Sequence, residues 1–142
     1  MQSAGSVFAE IRRERAGGRE RERMELAYTV PGQPVSKGRP RFGGGHAYTP
    51  AKTRAAERAA KLLCASARPA NWPTGARYEV TVRGFYGDLR RRDIDNLAKL
   101  HLDACNGIAW ADDCQVDRLI VERRHDKLRP RTEVVICPCH VA

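Results

Sequence analysis

Aromatic side chains make up only 6% of the sequence, and no uninterrupted apolar run reaches 18 residues. A membrane-spanning helix needs about 20 such residues in a row, so no membrane partner is expected. The first thirty residues lack the apolar core of a secretory leader, and the expected location is cytoplasmic. Cysteine occurs five times, at 64, 105, 114, 137 and 139, an odd number at irregular spacings. That excludes a paired disulfide framework and fits free thiols in a reducing compartment. Cys137-Pro138-Cys139-His140 has the look of half a zinc site, but no second Cys or His pair supplies the remaining ligands; ordinary thiols are the expectation there. Acid is also in short supply: 17 Asp and Glu stand against 26 Lys and Arg, a net charge of +9. A pI near 9.8 points to a polyanionic partner, nucleic acid first.

What is there is one domain's worth of chain, 142 residues, long enough to bury a core without metal or disulfide staples. Residues 1–23 interleave six arginines with four glutamates around Gly17-Gly18 and read as a charged, flexible and dispensable extension. Regular patterning starts at Met24. Leu26, Tyr28 and Val30 alternate with polar or small residues, the period of a strand with one buried face. Residues 31–48, rich in Pro and Gly, read as a long loop displaying Lys37, Arg39 and Arg41, bases that suit contact with a DNA backbone. Thr49-Pro50 predicts an N-cap and a first helical position for a helix over about 50–67, with Ala55, Ala56, Ala59, Leu62 and Leu63 as its apolar stripe. Tyr78, Val80 and Val82 predict a second strand. Asp93 or Asp95 can cap a second helix running to about Asn106, with Gly107 as its stop. Val116, Leu119 and Val121 predict a third strand, and 132–137 a fourth. The order βαβαββ implies an α+β domain: a small mixed sheet with helices on one face.

The stretch 93–117 carries the chemistry. It holds six acids, Asp93, Asp95, Asp103, Asp112, Asp113 and Asp117, against the single base Lys99, a net charge of −5 inside a basic protein; the rest of the chain carries +14. Phosphodiester hydrolysis is commonly driven by divalent metals held by carboxylates, and Mg²⁺ needs only two or three hard oxygen ligands beside its waters. Asp93 and Asp95 flank a helix start, Asp112 and Asp113 a following loop, and Lys99 lies one turn beyond Asp95, placed to stabilise a phosphate in the transition state. Arg90, Arg91 and Arg92 suit flanking phosphates. Asp103 falls roughly 80° off the Asp95 face and is read as a support for Lys99 at i+4. Trp72 and Trp110 are expected in the core. The competing reading is a non-catalytic basic nucleic-acid-binding module whose aspartates only cap and solvate turns.

The run Arg92-Asp93-Ile94-Asp95-Asn96-Leu97-x-Lys99, continuing through Asp103-Ala104-x-Asn106-Gly107-Ile108 to Trp110-x-Asp112-Asp113-x-Gln115-Val116, closely resembles the RusA family of Holliday-junction resolvases. Lys37-Gly38-Arg39-Pro40-Arg41, with Tyr48-Thr49-Pro50 and Thr53, is similar to the opening loop of its phage and prophage members. The resemblance spans about 26–136, within a domain expected over 24–142. It implies a RusA-like fold and an Mg²⁺-dependent endonuclease, with Mn²⁺ as a substitute ion, acting as a homodimer on four-way DNA junctions. Asp93, Asp95 and Asp113 would be metal ligands with Asp112 adjacent, and Lys99 the catalytic lysine. Cys114 departs from the small or hydroxyl residue that often follows the family's Asp pair, and could make the site sensitive to oxidation.

Overall fold

A computed structural model describes residues 24–38 and 41–139; the charged extension 1–23, Arg39 and His140 lie outside the described residues. The alternation after Met24 becomes β1 (Leu26–Pro31), burying Leu26 and Tyr28. Then follow β2 (Arg41–Gly43), β3 (His46–Tyr48), α1 (Ala51–Ala67), β4 (Arg77–Tyr86), α2 (Asp95–Ala104), a one-turn 3₁₀ helix (Asp113–Gln115), β5 (Val116–His125) and β6 (Arg131–Cys139). Four strands form one mixed sheet in the order β1-β6-β4-β5. β6 runs antiparallel to both β1 and β4, while β5 runs parallel to β4. A parallel pair cannot be joined by a hairpin, so the chain must cross over between β4 and β5. α2 makes that crossover, which is how a helix comes to lie against the sheet with the acidic stretch on it.

One face of the sheet presents Leu26 and Tyr28, Val80 and Val82, and Val134 and Ile136 to the two helices. Leu97, Leu100 and Ala104 of α2 are essentially inaccessible; large apolar side chains buried this way contribute about 1.5–3 kcal/mol each. The α+β architecture with helices on one face is therefore as expected. Trp72 and Trp110 sit in this core around Tyr78, with ring centroids 5.8 and 5.5 Å from it. The opposite face combines a small apolar cluster, Phe85, Val135 and Cys137, with paired charges: Arg83 meets Glu122 at 2.9 Å, and Arg131 meets both Glu133 and Asp126 at 2.8 Å. Burying such charges demands partners, and the register of β4, β5 and β6 supplies them.

Three details differ from the sequence reading. The segment 31–48 is not loop throughout, because β2 and β3 pair as a hairpin around Gly44 and Gly45, both at positive φ; two central glycines at positive φ are what a tight hairpin turn demands. In α1 the buried line is Thr53, Ala60 and Cys64, with Ala56, Leu63 and Ala67 packed beside it, whereas Leu62 is exposed. That 3.6-residue rhythm needs the small and polar Thr53 and Cys64 counted as core, and Thr53 is buried because its hydroxyl accepts the Gly38 N–H at 3.1 Å. Finally, helix limits shift: α1 starts after Pro50, and α2 stops at Ala104, three residues before Gly107. Gly107, at φ +81°, instead makes the turn that lets its N–H reach the Trp110 carbonyl at 2.7 Å.

Candidate functional site

α2 turns Leu97, Leu100 and Ala104 inward, which leaves Lys99 and Asp103 on the outer side one turn apart. The Lys99 ammonium lies 3.6 Å from Asp103 Oδ1, the i+4 support expected of it. The other oxygen, Oδ2, takes the Lys37 ammonium, while the Lys37 backbone N–H donates to the Asn96 carbonyl at 2.9 Å. One carboxylate thus gathers two ammonium groups, one of them from a segment 66 residues away in the chain. Lys37, anticipated as a loop base facing DNA, is half-buried against α2; Arg41 enters β2.

Beyond α2 the chain is anchored twice before it reaches Asp112. Trp72 Nε1 donates to the Ala109 carbonyl at 2.8 Å, and Trp110 Nε1 donates to Asn106 Oδ1 at 2.8 Å. Gln115 then clasps the turn: its Oε1 accepts the N–H groups of Ala111 at 2.9 Å and Asp112 at 3.2 Å. Its amide donates to the carbonyls of Thr74 and Ala76 at 2.9 and 3.0 Å, tying the turn to the entry of β4. Asp112 and Asp113 are therefore held on a fixed turn. Burial raises the Asp113 pKa, the adjacent Asp112 carboxyl and Asp103 raise it further, and Lys99 opposes them. Cys114 is exposed, and desolvation together with Asp112 raises its thiol pKa; that lowers its thiolate fraction and hence its oxidation.

Asp93 and Asp95 project at the other end of α2 and are exposed. Neither caps the helix through its side chain; Asp95 Oδ1 accepts only the neighbouring Asn96 N–H, at 2.9 Å. Asp95 and Asp103 are about 12 Å apart along the helix axis, and the charges acting on Asp113 are those of the Lys99 and Asp103 region. Among the described residues no three His, Cys, Asp or Glu side chains converge as a metal-binding group. Asp112, Lys99 and Asp103 act electrostatically on Asp113, and Asp93 and Asp95 stand exposed at the helix start. The donors of these aspartates are carboxylate oxygens, the ligand type suited to a hard divalent cation.

Of the three arginines before α2, Arg92 is committed: its guanidinium pairs with both oxygens of Asp88, one at 3.0 Å, and lies 4.9 Å from the Tyr86 ring centroid. Arg92 holds the Asp88 carboxyl well below the usual carboxylate range. Arg90 and Arg91 stay exposed. Arg123 of β5 joins them, stacked 5.5 Å from the same Tyr86 ring and donating to the Arg90 carbonyl. Sequence reasoning missed Arg123, since only strand register brings it there. It also missed Gln115, although Asp-x-x-Gln before a helical turn has the form of a capping box.

Fold and site together define a small basic α+β protein with two carboxylates and a lysine on a crossover helix. Comparison with known proteins makes this particular: residues 31–137 match the family described as Endodeoxyribonuclease RusA, and the chain belongs to that family. The RusA family is one of endodeoxyribonucleases that bind branched DNA, resolve Holliday junctions and are generally divalent-metal dependent. The chain is also 29% identical over 135 residues to the uncharacterized protein YqaN of Bacillus subtilis (strain 168), covering 78% of this chain and 94% of that protein. No helix among the described residues is long and apolar enough to cross a membrane.

Proposed function

We propose that this protein resolves four-way DNA junctions by hydrolysing one phosphodiester in each of two opposed strands, working as a homodimer in recombination and repair. The observation that carries the reading is the outer face of α2, where Lys99 stands beside Asp103 and the Asp112 and Asp113 turn, inside the span that matches the family. Asp93, Asp95 and Asp113, with Asp112 adjacent, would hold Mg²⁺ or Mn²⁺. Bound there, the ion would supply Lewis-acid charge neutralisation for phosphodiester hydrolysis. Lys99, more than half exposed at its side chain, is free to meet the scissile phosphate and to stabilise charge growing on its oxygens. Asp103 keeps that ammonium from swinging away. Arg90 and Arg91 grip the flanking backbone, and Arg39 and Arg41 add further phosphate contacts; Arg92 orients its segment through Asp88.

The test is a synthetic four-way junction incubated with and without Mg²⁺. Asp113→Asn keeps junction affinity within about twofold and loses at least about 10²-fold in cleavage, and Lys99→Ala slows cleavage by a similar factor. Absence of incision with any divalent metal, with binding unchanged in Asp93→Asn, would instead identify a non-catalytic binding module.

A further inference from the structure

The β2–β3 hairpin stands apart from the main sheet and pairs only within itself. Its turn glycines, Gly44 and Gly45, have nothing within 4 Å of where a Cβ would sit, so the tip projects clear of the protein. Phe42 rides on this hairpin 83% exposed. Its cross-strand partner is Ala47, too small to cover an aromatic ring. Few aromatics are spent in this chain, and the two tryptophans are buried; an almost fully exposed phenylalanine is therefore the exception. Its surroundings narrow the partner. Residues 26–56 contain no acid at all and five bases, Lys37, Arg39, Arg41, Lys52 and Arg54. An apolar ring in an acid-free basic stretch suits a partner that combines negative charge with flat apolar faces, and nucleic acid with unstacked bases is that partner. The hairpin is also near the chemistry. Lys37 is docked on Asp103 and Asn96, and five residues of chain reach at most about 17 Å from there.

We propose that Phe42 is a wedge: its ring stacks against a base opened at a DNA branch point, so that the β2–β3 hairpin selects branched over continuous duplex DNA. This rests on the junction reading above and adds a residue that determines specificity. A continuous duplex offers no open base face, so its binding depends only on phosphate contacts and gains nothing from the ring. A branch point has interrupted stacking, where an inserted ring meets the least resistance. The glycine turn keeps the tip slim enough to enter.

The experiment uses the full chain and a four-way junction carrying 2-aminopurine at the branch point, in EDTA so that no cleavage occurs. Wild-type protein raises the fluorescence as the base unstacks. Phe42→Ala abolishes that rise and weakens junction binding roughly tenfold, while linear duplex binding stays within about twofold and the melting temperature is unchanged. Phe42→Trp restores the rise. Unstacking by Phe42→Ala equal to wild type, no rise with the wild type, or an altered oligomeric state with unaltered DNA binding would each overturn the proposal. A fluorescence response that follows this pattern, together with no cleavage in any metal, would overturn the nuclease reading and leave the wedge standing.

Discussion

His101 shows how a single side chain can set the pH dependence of this fold. It lies buried on α2 with Nδ1 2.9 Å from the Tyr28 hydroxyl, and burial pushes its pKa down to about 4 from the ordinary 6.5. Above pH 6.5 the imidazole is neutral in both folded and unfolded chains. Between about 6.5 and 4 the unfolded chain takes up the proton and the folded one does not, so stability falls as the pH falls through this window. The loss is on the order of 3 kcal/mol. Urea unfolding from pH 7.5 to 4 should show it, and His101→Gln, which keeps a polar partner for Tyr28, should flatten the slope. An unchanged slope would place the acid sensitivity elsewhere. In the sequence His101 was one of four scattered histidines, and nothing local distinguished it. Asp103 was legible as a support for Lys99, because i+4 spacing is a property of any helix; its second partner, Lys37, comes from a distant loop and was not.

Among the elements, α2 depends on how closely it can lie on β4. A Cβ added at Gly84 would meet Leu97 Cδ2 at 2.7 Å and Tyr86 Cε2 at 3.0 Å, and both neighbours are fully buried. Gly84→Ala should therefore destabilise the protein by about 1–3 kcal/mol and tilt α2, so that cleavage falls by more than binding; a variant that melts like the wild type would contradict this packing. The turn after α2 has its own fastener. Gln115→Ala removes four hydrogen bonds that fix the Asp112 and Asp113 turn, and should lower cleavage about tenfold or more with DNA affinity kept, as read by single-turnover cutting beside a binding titration. Strands were the most legible elements, since alternation reports directly on a half-buried pleat. The hairpin was hidden because its three glycines read as loop until the positive φ angles of Gly44 and Gly45 showed a turn.

For the whole molecule, charge is divided rather than uniform, with −5 in 93–117 and +14 elsewhere. Arg123, brought to Arg90 by strand register, extends the basic surface beside the acidic segment. Arg123→Ala should weaken junction binding similarly for all sequences and reduce the log–log salt slope by about 0.9; a slope equal to wild type would remove Arg123 from the DNA surface. A two-strand reaction also asks for two sites. Sedimentation velocity should find a dimer, near twice 15.9 kDa for the full chain, and a dimer of the correspondingly smaller chain starting at Met24. A Met24 start that abolishes folding would end the view of 1–23 as dispensable.

The sequence by itself determined the α+β class, the polyanionic kind of partner, the four strands of the main sheet and the family motif, because hydrophobic period, charge and spacing are local and survive without coordinates. Tertiary structure decided which side chains meet. It put Lys37 and Lys99 on one carboxylate, Arg123 beside Arg90, and Phe42 out on a separate hairpin. Those relations depend on a crossover, a strand register and a turn geometry, and contacts between segments dozens of residues apart leave no periodic trace in the chain.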